Sequence, residues 1–298
     1  MQSDAAVAQL SVSIIIPVYN DQTGIDACIE ALQHQSYPKS LLEVIVVDNG
    51  STTPIRVAAK DSELATVIVC NTPGAYAARN AGIAVASGEV LAFTDADCCP
   101  GQDWITAGVA ALRSDSLPRV VGGEVTMRLP SNPTAIELYQ ATTGFAQREN
   151  IRDRGFSVTA NLFVCRSDMH NIGLFDDSLL SGGDREWSWR ASEAGYPVHF
   201  AADTIVITSP RSSLRAAILQ ARRVAGGRTA LRQSNKSDSE SPDIGPPRSA
   251  VSASLWILRH PELGLWDRIR VFCVAVLLYL VRQAEKLRLF LGLKPERR

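Results

Sequence analysis

Short runs of branched apolar residues alternate with helical spacing through the first hundred positions, and this alternation leaves few folds open. Val12 to Val18, Leu42 to Asp48, Ala65 to Asn71 and Val90 to Asp95 have strand length and are rich in Val and Ile. Between them, Gly24 to Gln35 and Ala75 to Ser87 place apolar residues at helical intervals. The pattern predicts a mostly parallel sheet with helices on its faces. Residues 101 to about 210 mix helices with further strands, among them Val120 to Met127 and Val198 to Ile207. At 298 residues the chain suffices for one large domain or a domain with an appendage.

Open α/β sheets bind ligands beyond the C-terminal ends of their strands, and each run here ends in polar residues. The first closes in Pro17-Val18-Tyr19-Asn20-Asp21 and the second in Asp48-Asn49-Gly50-Ser51. The third leads through Pro73-Gly74 into Tyr76-Ala77-Ala78-Arg79-Asn80-Ala81-Gly82, and the fourth ends in Asp95-Ala96-Asp97. Ordinary turn chemistry accounts for any one of these. All four in this order are better explained by a shared site. Paired acids at a sheet edge suit a hard divalent cation, Mg²⁺ or Mn²⁺, whose remaining positions go to water and substrate phosphate.

The segments S-I-I-I-P-V-Y-N, V-V-D-N-G-S, A-A-R-N-A-G and G-E-V-L-A-F-T-D-A-D-C together resemble the inverting nucleotide-sugar glycosyltransferases of family 2, which have the GT-A fold. The resemblance covers roughly residues 11 to 232. It implies a GT-A sheet with a donor-binding half over 1–100, an acceptor and catalytic half over 101–233, and a C-terminal helical extension over 234–298. It further implies that Pro17 and Tyr19 border the donor's base, that Asp48 hydrogen-bonds it, that Arg79 lies near the donor and Asp95 near the ribose, and that Asp97 binds the metal. A nucleoside-diphosphate-sugar donor follows, with a UDP-sugar favoured by family habit. The acceptor would be a glycan or lipid-linked hydroxyl of polysaccharide or cell-envelope synthesis.

Ser181-Gly182-Gly183-Asp184-Arg185-Glu186-Trp187-Ser188-Trp189-Arg190 resembles the family's acceptor-side motif. It makes Asp184 the expected general base, with Glu186, Trp187 and Arg190 as acceptor-side residues; a helix-capping role for Asp184 stays open on sequence alone. Relatives more often carry Glu where Gly183 stands, and a metal-binding His where Thr208 stands. Phosphates and water would then complete the metal shell. From Arg211 to Lys236 there are seven basic residues and no acid. Within that segment Arg222 and Arg223 are expected on a flap that neutralises the diphosphate, with a solvated basic helix as the alternative.

Residues 1–210 hold 13 Lys/Arg against 24 Asp/Glu, whereas 211–298 hold 17 against 7. A basic end on an acidic body suits anionic lipid or phosphate. Val271 to Val281 is an unbroken apolar run of about half the ~20 residues that cross a bilayer. It fits a packing helix or a membrane-surface helix, with a membrane span the lesser alternative, and Ser234 to Ser249 reads as a linker. Met1 to Leu10 lacks the basic start and apolar core of a signal peptide, and the six cysteines form no C-x-x-C. The expectation is a cytoplasmic protein with reduced thiols that contacts the inner membrane face and binds no nucleic acid. The four histidines make no H-E-x-x-H pair, and neither a P-loop nor a G-x-S-x-G elbow is present. Two rivals keep the fold: a sugar-nucleotide-forming nucleotidyltransferase, which should show a Gly-rich basic loop after strand one, and a non-catalytic carbohydrate-binding protein, which should lack the acids.

Overall fold

The computed structural model describes residues 9–58, 61, 63–113, 119–234 and 256–293. The expected linker after Ser234 and the first eight residues lie outside these. One eight-stranded sheet organises the chain, in the order β3-β2-β1-β4-β7-β6-β8-β5. The strands are β1 Val12–Val18, β2 Leu42–Asp48, β3 Ala65–Val69, β4 Val90–Phe93, β5 Cys98–Pro100, β6 Val120–Met127, β7 Leu162–Cys165 and β8 Val198–Thr208. The first four run parallel. β7 enters antiparallel between β4 and β6, so the sheet is mixed beyond the parallel half.

The register explains why the polar ends meet. Val18 pairs with Asp48, and Asp48 with Val69, so three strands stop at one level. Thr208, the last residue of β8, lies across from Cys98 of β5, directly after the Asp95-Ala96-Asp97 turn. Buried β-branched residues fill both faces. Ile14 and Ile16 point to the α1 side (α1, Gln22–Gln33), and Ile15 points to α2 (Ala75–Val85) with Phe93 and Val47. Alternation of this kind is what a two-sided sheet requires.

The terminal segment packs on the body. α4 (Ala135–Thr143) starts with a capping box in which Thr134 and Glu137 satisfy each other's backbone amides. It and α8 (Leu214–Ser234) receive α9 (Leu265–Phe290). Val271 meets Leu138, and Leu278 meets Ala217 and Ala221. Glu285 is 3% exposed in this seam. It accepts from Arg222 Nε at 3.0 Å and from Arg288 at 2.6 and 3.0 Å. The Arg288 hydrogen bonds, joined by Arg222 and working against burial, hold its carboxyl below the usual range. Among the described residues no helix is long and apolar enough to cross a membrane.

Candidate active site

Glycine and asparagine residues that close the strand-end loops set the site's floor. Asn20, at φ 54°, donates its backbone N–H to Ser51 Oγ at 2.8 Å and accepts from Thr52 N–H at 2.8 Å, tying the β1 end to the β2 loop. Asn49 donates to the carbonyls of Cys70 and Thr72 and accepts from Gly74 N–H, tying that loop to the entry of α2. Gly24 lets α1 come close: a Cβ there would sit 2.3 Å from Asp21 Oδ2 and 2.9 Å from the Ala96 carbonyl. Asp21, which caps α1 by accepting from Gly24 N–H, is thereby held against the Asp95-Ala96-Asp97 turn.

Pro17 is half-buried within β1, and Tyr19 is 41% exposed just beyond it. Asp48 is buried, its two oxygens accepting from Ser51 N–H at 2.9 Å and Ile55 N–H at 3.2 Å. Burial alone would raise its carboxyl, but these bonds outweigh it and hold the group below the usual carboxylate range. Arg79 is buried on α2, donates from Nη2 to Asp95 Oδ1 at 2.5 Å, and leaves Nε without a hydrogen-bond partner. Asp97 follows at the rim. Withdrawal from water and the charges of Asp95 and Asp21 push its carboxyl up, while Arg211 opposes them.

An acid pushed toward protonation by neighbouring acids, as Asp97 is, belongs to a donor set a hard cation would relieve. Among the described residues no group of three His, Cys, Asp or Glu stands ready to hold a metal. The set fits a cation held through one or two carboxylates with substrate oxygens and water, not a closed protein cage. Thr208 is buried, and its hydroxyl donates to the Asp97 carbonyl at 3.1 Å. The residue in the expected histidine's place thus fastens the Asp95-Ala96-Asp97 turn to β8.

Across the cleft, Gly182 at φ 85° turns the chain into α7 (Gly183–Glu193), which puts Asp184 in the first helical turn. Its Oδ1 accepts from Arg185 N–H at 2.9 Å and from the Tyr76 hydroxyl at 3.3 Å. Burial pushes the Asp184 carboxyl above the ordinary range, with Arg79 and Arg185 pulling against it. Gly183 is explained by Tyr76: a Cβ at 183 would lie 2.7 Å from the ring. The chain has an aromatic ring where a Glu side chain would stand.

Four expected site residues are placed differently. Trp187 is fully buried and donates from its indole to the Gly173 carbonyl at 2.9 Å, packed on Phe175 with ring centroids 5.4 Å apart. It is core, not an acceptor contact. Glu186 and Arg190 form a two-point ion pair, and Arg190 also donates to the carbonyls of Ile172 and Leu174. These two brace the loop before Asp184. Arg222 turns to Glu285 on α9, whereas Arg223 lies in the field of Arg211, Tyr76, Asp95 and Arg79. Of the two arginines, Arg223 is the one that feels the charges of Asp95 and Arg79.

Sequence reasoning passed over Asn80 and Phe175. Asn80 exchanges hydrogen bonds of 2.8 and 3.0 Å with the Phe175 backbone, which joins α2 to the loop that presents Asp184. The Phe175 ring sits between Tyr76, Phe93 and Trp187. Replacing Trp187 by Ala should cost about 3–5 kcal/mol, typical of a buried aromatic removed from a core. Urea unfolding checks this, and a variant of unchanged stability with weakened acceptor binding would restore Trp187 to the acceptor side.

Comparison with known proteins gives the family and the fold. The profile of a family described as Glycosyl transferase family 2 matches residues 13–162. The glycosyltransferase AglE of Haloferax volcanii is 42% identical over 199 residues, covering 65% of this chain and 65% of AglE. The pre-mycofactocin glycosyltransferase of Mycobacterium tuberculosis is 28% identical over 274 residues, covering 89% of this chain and 56% of that protein. The chain thus spans less than two thirds of these relatives. Among solved structures, the mannosyltransferase PcManGT of Pyrobaculum calidifontis, in complex with GDP-Man and Mn²⁺, superposes with a TM-score of 0.58 at 20% identity, covering 96% of this chain and 80% of that one. At that identity the likeness speaks for the fold, which is GT-A.

Proposed function

Because this chain belongs to glycosyl transferase family 2, we propose that it moves a sugar from a nucleoside diphosphate to a hydroxyl acceptor with inversion at the anomeric carbon. One observation carries the reading: Asp184, a carboxylate of raised proton affinity, is joined through Tyr76 and Arg79 to the strand-end acids. Pro17, Tyr19 and Asp48 border the base in this reading, with the exposed Tyr19 ring placed to stack. Asp97, with Asp95 beside it, holds the metal. The cation, Mg²⁺ or Mn²⁺, supplies Lewis-acid stabilisation of charge on the departing diphosphate. Arg223 and Arg211 add fixed positive charge on the same side. Asp184 takes the acceptor's proton as its oxygen attacks.

The acceptor is a glycan or lipid-linked saccharide, and the enzyme works in the cytoplasm at the inner membrane face, where the basic C-terminal segment suits the anionic leaflet. A UDP-sugar is the favoured donor. The test is release of nucleoside diphosphate from UDP-, GDP- and dTDP-sugars with Mn²⁺ or Mg²⁺. Metal-stimulated release from one class, strongest with UDP, is the expected result. No release from any donor with either metal would overturn the reading.

A further inference from the structure

α9 has two unlike faces. Its inward side carries Val271, Leu278 and Glu285, spaced seven residues apart and all buried. The opposite side carries Trp266 (77% exposed), Ile269, Val276, Leu280, Leu287 and Phe290 (87% exposed), a continuous stripe at helical spacing. Both acids of the helix, Asp267 and Glu285, stand on the inward half. Basic residues border the stripe, with Arg270 and Arg288, which also pair with Asp267 and Glu285, along one edge, and Lys286 with Arg268, which also donates to the Leu263 carbonyl, along the other. Monomeric soluble proteins rarely leave so long an apolar surface uncovered. The 235–255 stretch is mostly Ser, Pro, Asp and other polar residues, with few apolar side chains to offer it.

We propose that this stripe is a lipid-binding face, on which α9 lies in the plane of an anionic bilayer with the apolar side chains below the headgroups and the basic edges among the phosphates. The inference deepens the membrane-side reading above by naming the surface and its partner, but it does not depend on the transferase chemistry. The charge arrangement chooses lipid over a second copy of the chain, because a twofold contact would set the basic edges against each other. The unbroken apolar run is too short to span, so the helix rests in the interface instead of crossing it.

The experiment is sedimentation of the full chain with vesicles of neutral phosphatidylcholine alone or mixed with about one third phosphatidylglycerol, at low and high salt. Wild type should pellet with the anionic vesicles and release as salt rises. Leu280→Glu with Leu287→Glu should weaken binding by roughly tenfold or more, since charge enters where apolar burial drives attachment. Trp266→Ala, at the exposed start of the helix, gives a milder loss. Circular dichroism and donor hydrolysis should be unchanged in both, which separates failure of the lipid face from failure of the enzyme assignment. Wild type that ignores anionic vesicles, or a double variant that binds as wild type does, would overturn the proposal. So would a wild-type dimer that the double variant splits without any vesicle binding, since the face would then belong to a second copy.

Discussion

Replacing Asp184 by Asn should lower sugar transfer by roughly two to four orders of magnitude, the usual worth of a positioned general base. Asn keeps the size and can still accept from Arg185 N–H and the Tyr76 hydroxyl, so α7 should start where it does now. Only proton acceptance is lost. Donor binding measured by calorimetry should change little. The pH profile supplies an independent mark. Burial raises the Asp184 pKa, and only the ionised form can take a proton. Transfer should therefore be intact above that raised value and fall as pH drops through it, at a pH higher than an ordinary aspartate would give. In the Asn variant that acid limb should vanish. Near-normal turnover would move the base elsewhere, and the Arg190 pair makes Glu186 a poor substitute.

Asp97→Asn should remove most metal-stimulated transfer, by roughly a hundredfold or more, since Lewis-acid help is worth several kcal/mol. The side chain stands at the rim of the sheet, and the hydrogen bond from Thr208 goes to its backbone carbonyl, so the fold should survive the change. Titrating Mn²⁺ against nucleotide binding reads the effect apart from turnover: the variant should need far more metal for the same nucleotide affinity. Undiminished activity in EDTA would place the cation, or the need for one, elsewhere.

Much of the frame was legible in the sequence. β1 and β2 begin and end where their mostly apolar runs do, because a strand buried on both faces is largely apolar, and β6 also keeps the bounds read for it. β3 and β4 stop two residues early, at Val69 and Phe93. At the first of these, Asn49 captures the Cys70 and Thr72 carbonyls and ends the pairing, an event written in another loop. Side-chain roles were less legible. Tryptophan and arginine look alike in sequence whether they meet a substrate or a carbonyl, and Trp187 and Arg190 meet carbonyls. Arg222 and Arg223 differ by one step of a helix. Which of them is drawn into the α9 seam depends on Glu285, 63 positions later. The Gly183 substitution made sense only once the Tyr76 ring was seen to fill the space.

The seam between α8 and α9 bears on how the enzyme would meet its acceptor. Glu285 fastens α9 to Arg222, and the next residue, Arg223, lies in the field of Asp95 and Arg79. Gly227, further along α8, lies so near the Ser181 backbone that a Cβ would fall 2.3 Å from its carbonyl oxygen, and Ser181 leads into the turn that presents Asp184. A flexible tether would let a catalytic body roam and sample hydroxyls at many distances from the bilayer. A helix clamped this way acts as a mount, fixing height and tilt together. With the outer side of α9 laid on lipid, the cleft would serve only acceptors whose reactive hydroxyl stands at one elevation above the headgroups. Spacer length between lipid and sugar would then matter to selectivity as much as the sugar itself.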